Sequence, residues 1–124
     1  MNALDIGKNK IRKDCSIKRH KLVAMAFSKS GYLICTETNR KGSGNVSDFS
    51  IHAEEFLVRK LRKLSARERY GKIRVVVARM AKSGWAMARP CGGCQKILSD
   101  YGITDIWYTQ RIGMGNTEAL MQKL

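Results

Sequence analysis

The sequence predicts a three-layer α/β/α sandwich with a mixed sheet of about five strands. An apolar hairpin comes first, and helical and strand patterns then alternate along the chain. This order is typical of a partly parallel sheet that is covered by helices on both faces. The run Val75-Val76-Val77 has the composition of a strand buried on both sides. A length of 124 residues suits one hydrophobic core, so residues 1–124 are expected to form a single domain.

The first part of the chain predicts a helix and a β-hairpin. Residues 1–13 have a weak helical pattern. Residues 21–27 and 32–38 are rich in apolar residues and favour strands, and Ser28-Lys29-Ser30-Gly31 between them is a turn signal. Residues 39–50 contain glycine, serine and asparagine and are therefore expected to form a loop.

A basic amphipathic helix is predicted next. Ser50 is expected to cap it, so that the helix begins at Ile51. Four apolar residues recur at helical spacing and should face the core: Ala53, Leu57, Leu61 and Leu64. The arginines and lysines of residues 59–69 project from its other faces, so a polyanion such as a phosphate backbone is a candidate partner for this helix.

The second half of the chain predicts helices and strands in alternation. The expected elements are a strand over 73–79, a turn over 81–84, a helix over 91–101, a strand over 103–109 and a short final helix, capped by Asn116 or Thr117, that reaches Lys123. Gly102 follows the 91–101 helix at the position where a left-handed residue commonly ends a helix.

The chain is strongly basic, with 24 Lys and Arg against 10 Asp and Glu and a net charge of +14. Such a charge indicates a phosphate-bearing partner, including single-stranded nucleic acid, but says nothing about the fold. No apolar stretch is long enough to cross a bilayer, so no membrane partner is expected. The N-terminal segment lacks the apolar region of a secretory signal, and a cytoplasmic protein is therefore expected.

One histidine and two cysteines have the spacing of a metal site. Cys91 and Cys94 lie three residues apart in Pro90-Cys91-Gly92-Gly93-Cys94, at the predicted start of a helix, so their sulfurs should share one face. His52 can add a nitrogen ligand. Three protein ligands of this kind leave one position of a tetrahedral Zn2+ ion open, which is the arrangement of a catalytic zinc site.

Glu54 lies two residues after His52 and is the expected proton shuttle. A carboxylate there need not bind the metal, and it can take a proton from water that zinc has made more acidic. The neighbouring Glu55 is expected to be a surface charge. Either motif alone is weak, because structural zinc sites and thiol redox sites also use C-x-x-C. The conjunction of H-x-E with P-C-x-x-C is much more specific.

These residues closely resemble the cytidine and deoxycytidylate deaminase superfamily, over roughly residues 21–109. The segment that follows the cysteines, Gln95 and then Ile97 to Gly102, looks like the zinc helix of free cytidine deaminases. The resemblance implies zinc ligation by His52, Cys91 and Cys94 and proton transfer by Glu54. Free cytidine deaminases usually carry a cysteine where this chain has His52, so the branch within the superfamily stays open.

The resemblance also implies substrate contacts. Asn39 would lie against the sugar, the backbone of Ala53 would hold the base carbonyl, and the carbonyl of Arg89 would accept from the exocyclic amine. Trp85 and Tyr108 are expected to wall the pocket. Free deaminases of this size are often oligomers, so the resemblance makes a homo-oligomer an expectation too.

Three functions remain open from the sequence. The first is an enzyme that converts the cytosine of a free nucleoside or nucleotide (cytidine, deoxycytidine or dCMP) to uracil. The second is a deaminase that acts on cytosine, or less readily adenine, in single-stranded DNA or RNA, which the charge favours. The third is a non-enzymatic basic zinc module that binds nucleic acid, although such a module has no use for Glu54.

Overall fold

The computed structural model describes residues 3–14, 21–41, 50–81, 84–110 and 120–124. The helices are α1 (Ala3–Asp14), α2 (Ala53–Lys63), α3 (Ala66–Tyr70) and α4 (Gly92–Asp100). The strands are β1 (Lys21–Ser28), β2 (Leu33–Thr38), β3 (Arg40–Lys41), β4 (Ser50–Ile51), β5 (Ile73–Ala81), β6 (Gly84–Ala86), β7 (Asp105–Gln110) and β8 (Leu120–Lys123).

A mixed sheet forms the centre of the fold, with the strand order β2-β1-β5-β7-β8 and with β6 paired to β5. The pair β5–β7 is parallel, whereas β1–β2, β1–β5, β5–β6 and β7–β8 are antiparallel. A parallel pair requires a crossover, and α4 supplies it between β5 and β7. The predicted parallel portion of the sheet is therefore confirmed.

Helices cover both faces of the sheet, as predicted. Along β5 the side chains alternate, so Val75 and Val77 pack in the cluster that contains α2 and α4 residues. Val76 and Ala78 pack in the opposite cluster, together with Ile11 of α1. The valine run is thus buried on both faces, which is why it shows no polar alternation.

The predicted start of the second helix is wrong by two residues. Ser50 and Ile51 do not cap or begin a helix but pair with Lys41 and Arg40 as the short ladder β4–β3. Helix α2 begins at Ala53, and His52 has the extended backbone of an N-cap. The expected loop over 39–50 accordingly contains strand residues at both ends, because backbone pairing outweighed the capping signal of Ser50.

The predicted basic helix is divided in two. Helix α2 ends at Lys63 with Leu64 as its C-cap, and Ser65 has a left-handed backbone with a φ of 49° before α3 begins. The sequence contains no glycine or proline there, so periodicity alone did not reveal the break. The basic residues therefore project from two short helices and do not form one continuous stripe.

The short strands β6 and β8 were missed as well as β3 and β4. The predicted turn over 81–84 joins β5 to β6, which pairs Ala81 with Gly84 and Met80 with Trp85. The final helix is wrong, since Leu120–Lys123 is strand β8 at the edge of the sheet. Its proposed caps, Asn116 and Thr117, lie outside the described residues. Within the part of the chain that is described, no helix has the length and apolar character needed to cross a membrane.

Replacing Leu57 by alanine is expected to lower the free energy of unfolding by about 2–5 kcal/mol. Leu57 is fully buried between α2 and the sheet, so the truncation leaves a cavity. The matched control is Leu64→Ala, because Leu64 is the C-cap of the same helix but is 37% exposed. This variant should lower the free energy of unfolding by less than about 1 kcal/mol. Urea unfolding compares the two variants, and equal losses would contradict this packing.

Candidate active site

His52 is held at the N-terminus of α2 by the helix itself. Its backbone carbonyl accepts from the N–H groups of Glu55 and Phe56 at 3.1 and 3.4 Å. His52 is the N-cap of this helix, has an extended backbone, and makes no capping hydrogen bond with its side chain. Its Nδ1 atom then lies 3.1 Å from Cys94 Sγ and 3.5 Å from Cys91 Sγ.

The two cysteines are positioned by the first turn of α4. Cys91 is the N-cap, and its sulfur accepts from the backbone N–H of Cys94 at 3.5 Å. Pro90 precedes them, and its carbonyl accepts from Gln95 Nε2 at 2.8 Å, which ties the entry segment to the helix. The first turn of α4 thus fixes both sulfurs beside the imidazole of His52.

The three side chains can hold one metal ion. Their ligand atoms all lie within 4.8 Å of one another. Donors of a tetrahedral zinc ion lie about 2.0–2.3 Å from the metal and hence about 3.5 Å from each other. The nitrogen–sulfur distances of 3.1 and 3.5 Å fit this arrangement, as does the soft donor set of one imidazole and two thiols.

Cys94 is buried, which has an electrostatic consequence. Burial raises the pKa of its thiol well above the ordinary value, and the neighbouring Glu54 and Cys91 raise it further. A thiolate in this place therefore needs a compensating positive charge, which a divalent cation would provide. The arrangement thus fits a metal ion better than a free thiol pair.

Glu54 lies beside this cluster on the first turn of α2 and is only 3% exposed. Burial raises the pKa of its carboxyl, although hydrogen bonds from its own backbone amide and from Cys94, together with His52, oppose the rise. Its Oε1 atom is buried and has no hydrogen-bond partner. A buried carboxylate oxygen without a partner is costly in a purely structural role and suits an atom that meets a substrate.

The cluster opens into a cavity of about 320 Å³. Its lining consists of Leu22, Asn39, His52, Glu54, Arg79, Met87, Ala88, Arg89 and Cys91. A second and larger cavity, of about 480 Å³, lies at the other end of β5 near Ile73 and Arg74. The smaller cavity is the candidate active site, because it alone of the two is lined by His52 and Cys91 of the metal-ligating group and by Glu54.

The fold matches solved structures, although no protein-family model and no curated protein match the sequence. The cytidine deaminase from Burkholderia pseudomallei has a TM-score of 0.59 at 15% identity, covering 99% of this chain and 93% of its own. The dCMP deaminase from the cyanophage S-TIM5 has a TM-score of 0.57 at 21% identity, and the match covers 89% of this chain and 86% of the phage enzyme. The cytidine deaminase from Mycobacterium leprae has a TM-score of 0.58 at 16% identity, covering 99% and 94%.

The chain has the cytidine deaminase fold. The α/β architecture predicted from the sequence, a mixed sheet with helices on both faces, matches these neighbours. Identities of 15–21% reflect a shared backbone arrangement and do not define a substrate.

Within this cytidine deaminase fold, two of the five expected substrate contacts, Asn39 and Arg89, line the cavity, and a third, Ala53, lies between the lining residues His52 and Glu54 in sequence. Asn39 is buried in its lining, and its Oδ1 accepts from the backbone N–H of Leu22 at 3.0 Å. Arg89 lines the cavity just before Cys91. Ala53 is the first residue of α2, where a backbone N–H has no acceptor within the helix.

The two aromatic residues lie elsewhere. Trp85 of β6 packs against the cluster beneath α1, on the other face of the sheet from Glu54. Tyr108 of β7 is 4% exposed and belongs to the core beneath α2 and α4. Neither belongs to the cavity lining, so the structure does not bring them to the site.

Arg79 and Met87 line the cavity and were missed from the sequence. Arg79 is the residue that follows the apolar run of β5, on the same face as Val75 and Val77. The sequence did contain a signal for Arg79, because a charged residue directly follows the apolar run of this strand. Met87 is 49% exposed at the mouth and had no distinguishing pattern.

Cys35 is separate from the metal-ligating group and packs in the core beneath α2 and α4. It is buried in β2, and burial raises the pKa of its thiol to about 11, with smaller effects from nearby charges. A thiol with such a pKa is protonated and unreactive at neutral pH.

Proposed function

We propose that the protein is a zinc-dependent hydrolytic deaminase that converts the cytosine of a nucleoside or nucleotide (cytidine, deoxycytidine or dCMP) to uracil and ammonia. The observation that carries this proposal is the position of Glu54. Its partnerless Oε1 lies in a cavity that also contains His52 and Cys91, within a fold that known cytidine and dCMP deaminases share.

Zinc is the proposed cofactor, held by His52 Nδ1 and the sulfurs of Cys91 and Cys94. The distances within this group and its nitrogen and sulfur donors support that choice. When bound, a zinc ion supplies Lewis acidity that activates water at neutral pH.

Glu54 is the proposed proton carrier. Its carboxylate takes a proton from the attacking water, gives it to the ring nitrogen of cytosine, and then assists proton transfer to the departing ammonia. Burial raises the pKa of this carboxyl, which lets it hold a proton between these steps. The balance is one water consumed and one ammonia released for each cytosine converted to uracil.

Backbone and amide groups at the cavity would orient the base and the sugar. The backbone N–H of Ala53, at the first position of α2, suits the base carbonyl, and the carbonyl of Arg89 suits the exocyclic amine. Asn39 suits a sugar hydroxyl, because its amide lies in the cavity wall and is fixed through Leu22. We also propose a cytoplasmic location, because thiolate ligands require a reducing compartment.

An assay of the purified, zinc-loaded protein tests this function. Cytidine, deoxycytidine, dCMP and a single-stranded oligonucleotide with one cytosine are each incubated with the protein, and uracil products and ammonia are measured. Turnover of at least one cytosine compound is expected, and it should disappear when a chelator removes the metal. A folded, zinc-loaded protein that converts none of them would overturn the proposal.

A polynucleotide deaminase is the second candidate, because α2 and α3 expose a group of basic side chains: Arg59, Arg62, Lys63, Arg67 and Arg69. Binding through such a surface weakens steeply as salt rises. Oligonucleotide turnover that falls with salt while dCMP turnover stays constant would favour it. A non-enzymatic zinc module is disfavoured, since it gives the buried Oε1 of Glu54 no function.

A further inference from the structure

Gln95 binds the backbone on both sides of Cys91, which is an exposed member of the metal-ligating group. We propose that Gln95 is a positioning residue, and that its two hydrogen bonds hold Cys91 in the orientation that metal binding needs. The inference rests on the zinc site of the proposed function and deepens it, because it assigns a role in that site to a residue that is not itself a ligand.

Gln95 donates hydrogen bonds to two consecutive carbonyl groups. Its backbone N–H donates to the carbonyl of Cys91 at 2.9 Å, and its side-chain Nε2 donates to the carbonyl of Pro90 at 2.8 Å. The first bond belongs to an ordinary helical turn, whereas the second reaches past the N-cap to a residue outside the helix. The peptide group before Cys91 and the peptide group after it are therefore held by the same residue.

The placement of the Cys91 sulfur depends strongly on its backbone. Cys94 is only 3% exposed, so close packing restricts its side chain, whereas Cys91 is exposed and lacks such restraint. Because peptide groups are planar, holding the two that flank Cys91 defines its backbone angles, a φ of −67° and a ψ of 166°. These angles direct the sulfur to within 3.5 Å of His52 Nδ1.

The first turn of α4 has little rigidity of its own. Gly92 and Gly93 form this turn between the two cysteines, and glycine loses more backbone freedom on folding than any other residue. Among the described residues, no atom lies within 4 Å of a Cβ built at Gly92, and the Cys91 sulfur lies 4.0 Å from one built at Gly93. Neighbouring elements therefore do not brace this turn, and the side chain of Gln95 supplies the restraint.

Pro90 is a rigid anchor for this bond. Its ring fixes φ, and the residue is buried, where a carbonyl is costly unless it accepts a hydrogen bond. Gln95 provides that bond from a partly buried side chain. Two residues before Pro90, the N–H of Ala88 donates to the Thr109 carbonyl at 2.9 Å. The segment that leads to Cys91 is thus tied to β7 at one end and to α4 at the other.

A purely structural role for Gln95 makes a different prediction. If the side chain only stabilised the start of α4, its removal would lower the free energy of unfolding. The affinity for a metal ion and the geometry around that ion would then stay as in the wild type.

The test uses Gln95→Met, which keeps the length of the side chain and removes its N–H donor. The zinc affinity of the full chain, measured by competition with a chromogenic chelator, should fall by about tenfold to a hundredfold, the usual effect of losing a group that orients a metal ligand. The visible absorption of the Co2+-loaded chain reports coordination geometry, and its bands should change in position or intensity.

Lys96→Met is the matched control, because it places the same side chain on the next residue of α4, which is exposed. Its zinc affinity and Co2+ spectrum should equal those of the wild type. Gln95→Asn keeps a polar amide but is one methylene shorter, so its amide should not reach the Pro90 carbonyl. It should weaken zinc binding as well, and it keeps the test open if Gln95→Met does not fold.

Reduced stability of the Gln95 variants with unchanged zinc affinity and an unchanged Co2+ spectrum would overturn the inference. Equal losses of affinity in Gln95→Met and Lys96→Met would also overturn it. None of these measurements needs a substrate. If the wild type binds zinc tightly but converts no cytosine compound, the proposed function fails, and the metal affinities of the variants still decide whether Gln95 positions Cys91.

Discussion

Replacing Glu54 by glutamine is expected to lower kcat by about 10²–10⁴-fold while leaving the metal content unchanged. Glutamine has nearly the same shape, but it cannot take a proton from water or deliver one to the base. Glu54 is buried beside the ligands and is not one of them, so the His52, Cys91 and Cys94 group should still bind zinc. Steady-state kinetics with dCMP and metal analysis of the same sample measure both quantities.

The neighbouring Glu55 is a matched control. It is the next residue of the same helix turn, but its carboxylate forms an exposed ion pair with Arg59 at 2.8 Å. Glu55→Gln removes the same charge at almost the same place in the chain and should leave kcat within about twofold, since exposed pairs contribute little. Similar losses in both variants, or near-normal turnover in Glu54→Gln, would refute the assigned proton transfer.

Replacing Cys94 by serine is expected to weaken zinc binding by more than about a hundredfold and to remove activity with it. Changes outside the ligand shell already cost 10–100-fold in metal affinity, and loss of a thiolate ligand should cost more. The serine hydroxyl stays neutral at this buried position and is a poor zinc donor. Competition with a chromogenic chelator measures the affinity.

Cys35→Ala provides the comparison for Cys94→Ser. Cys35 is also a buried cysteine, but it packs in the core and is not part of the metal-ligating group. Its removal should leave the zinc affinity unchanged, with at most a modest loss of stability. If Cys94→Ser retains one tightly bound zinc ion per chain, the metal is held elsewhere and the assigned ligand set is wrong.

Much of the fold was predictable because its signals were local. The valine run indicates strand β5, Gly31 indicates the turn between β1 and β2, and Gly102 indicates the end of α4. The structure has all three features where they were expected. Gly102 has a φ of 87°, which explains why the helix ends there. The alternation of helix and strand then fixes the parallel β5–β7 pair.

The errors came from interactions between distant residues. Ser50 is a good cap by composition, but its partner in the β3–β4 ladder is Lys41, nine positions earlier in the chain. The segment Leu120–Lys123 is too short for periodicity to separate strand from helix, and its pairing with β7 decides the outcome. The local propensity of these two segments does not reveal that they pair with β3 and β7.

The residues of the candidate site that belong to a sequence motif were predictable. The residues that only the fold brings to the cavity were not. Cys91 and Cys94 are neighbours in sequence, and His52 was brought to them by the pattern of the superfamily that the sequence resembles. Arg79 belongs to no motif and lines the cavity because the last part of β5 lies beside it. Trp85 was placed by analogy, yet the alternation of β6 points it into the cluster beneath α1.

The metal ligands are close in space but far apart along the chain, with 42 positions between His52 and Cys94. An ion bound by both is therefore a reversible cross-link that closes a loop containing α2, α3, β5 and β6. A covalent link over such a loop would be worth roughly 4 kcal/mol through the entropy of the unfolded chain. An ion that binds only the folded chain would act in the same direction, so the lifetime of this small protein would depend on the supply of metal around it.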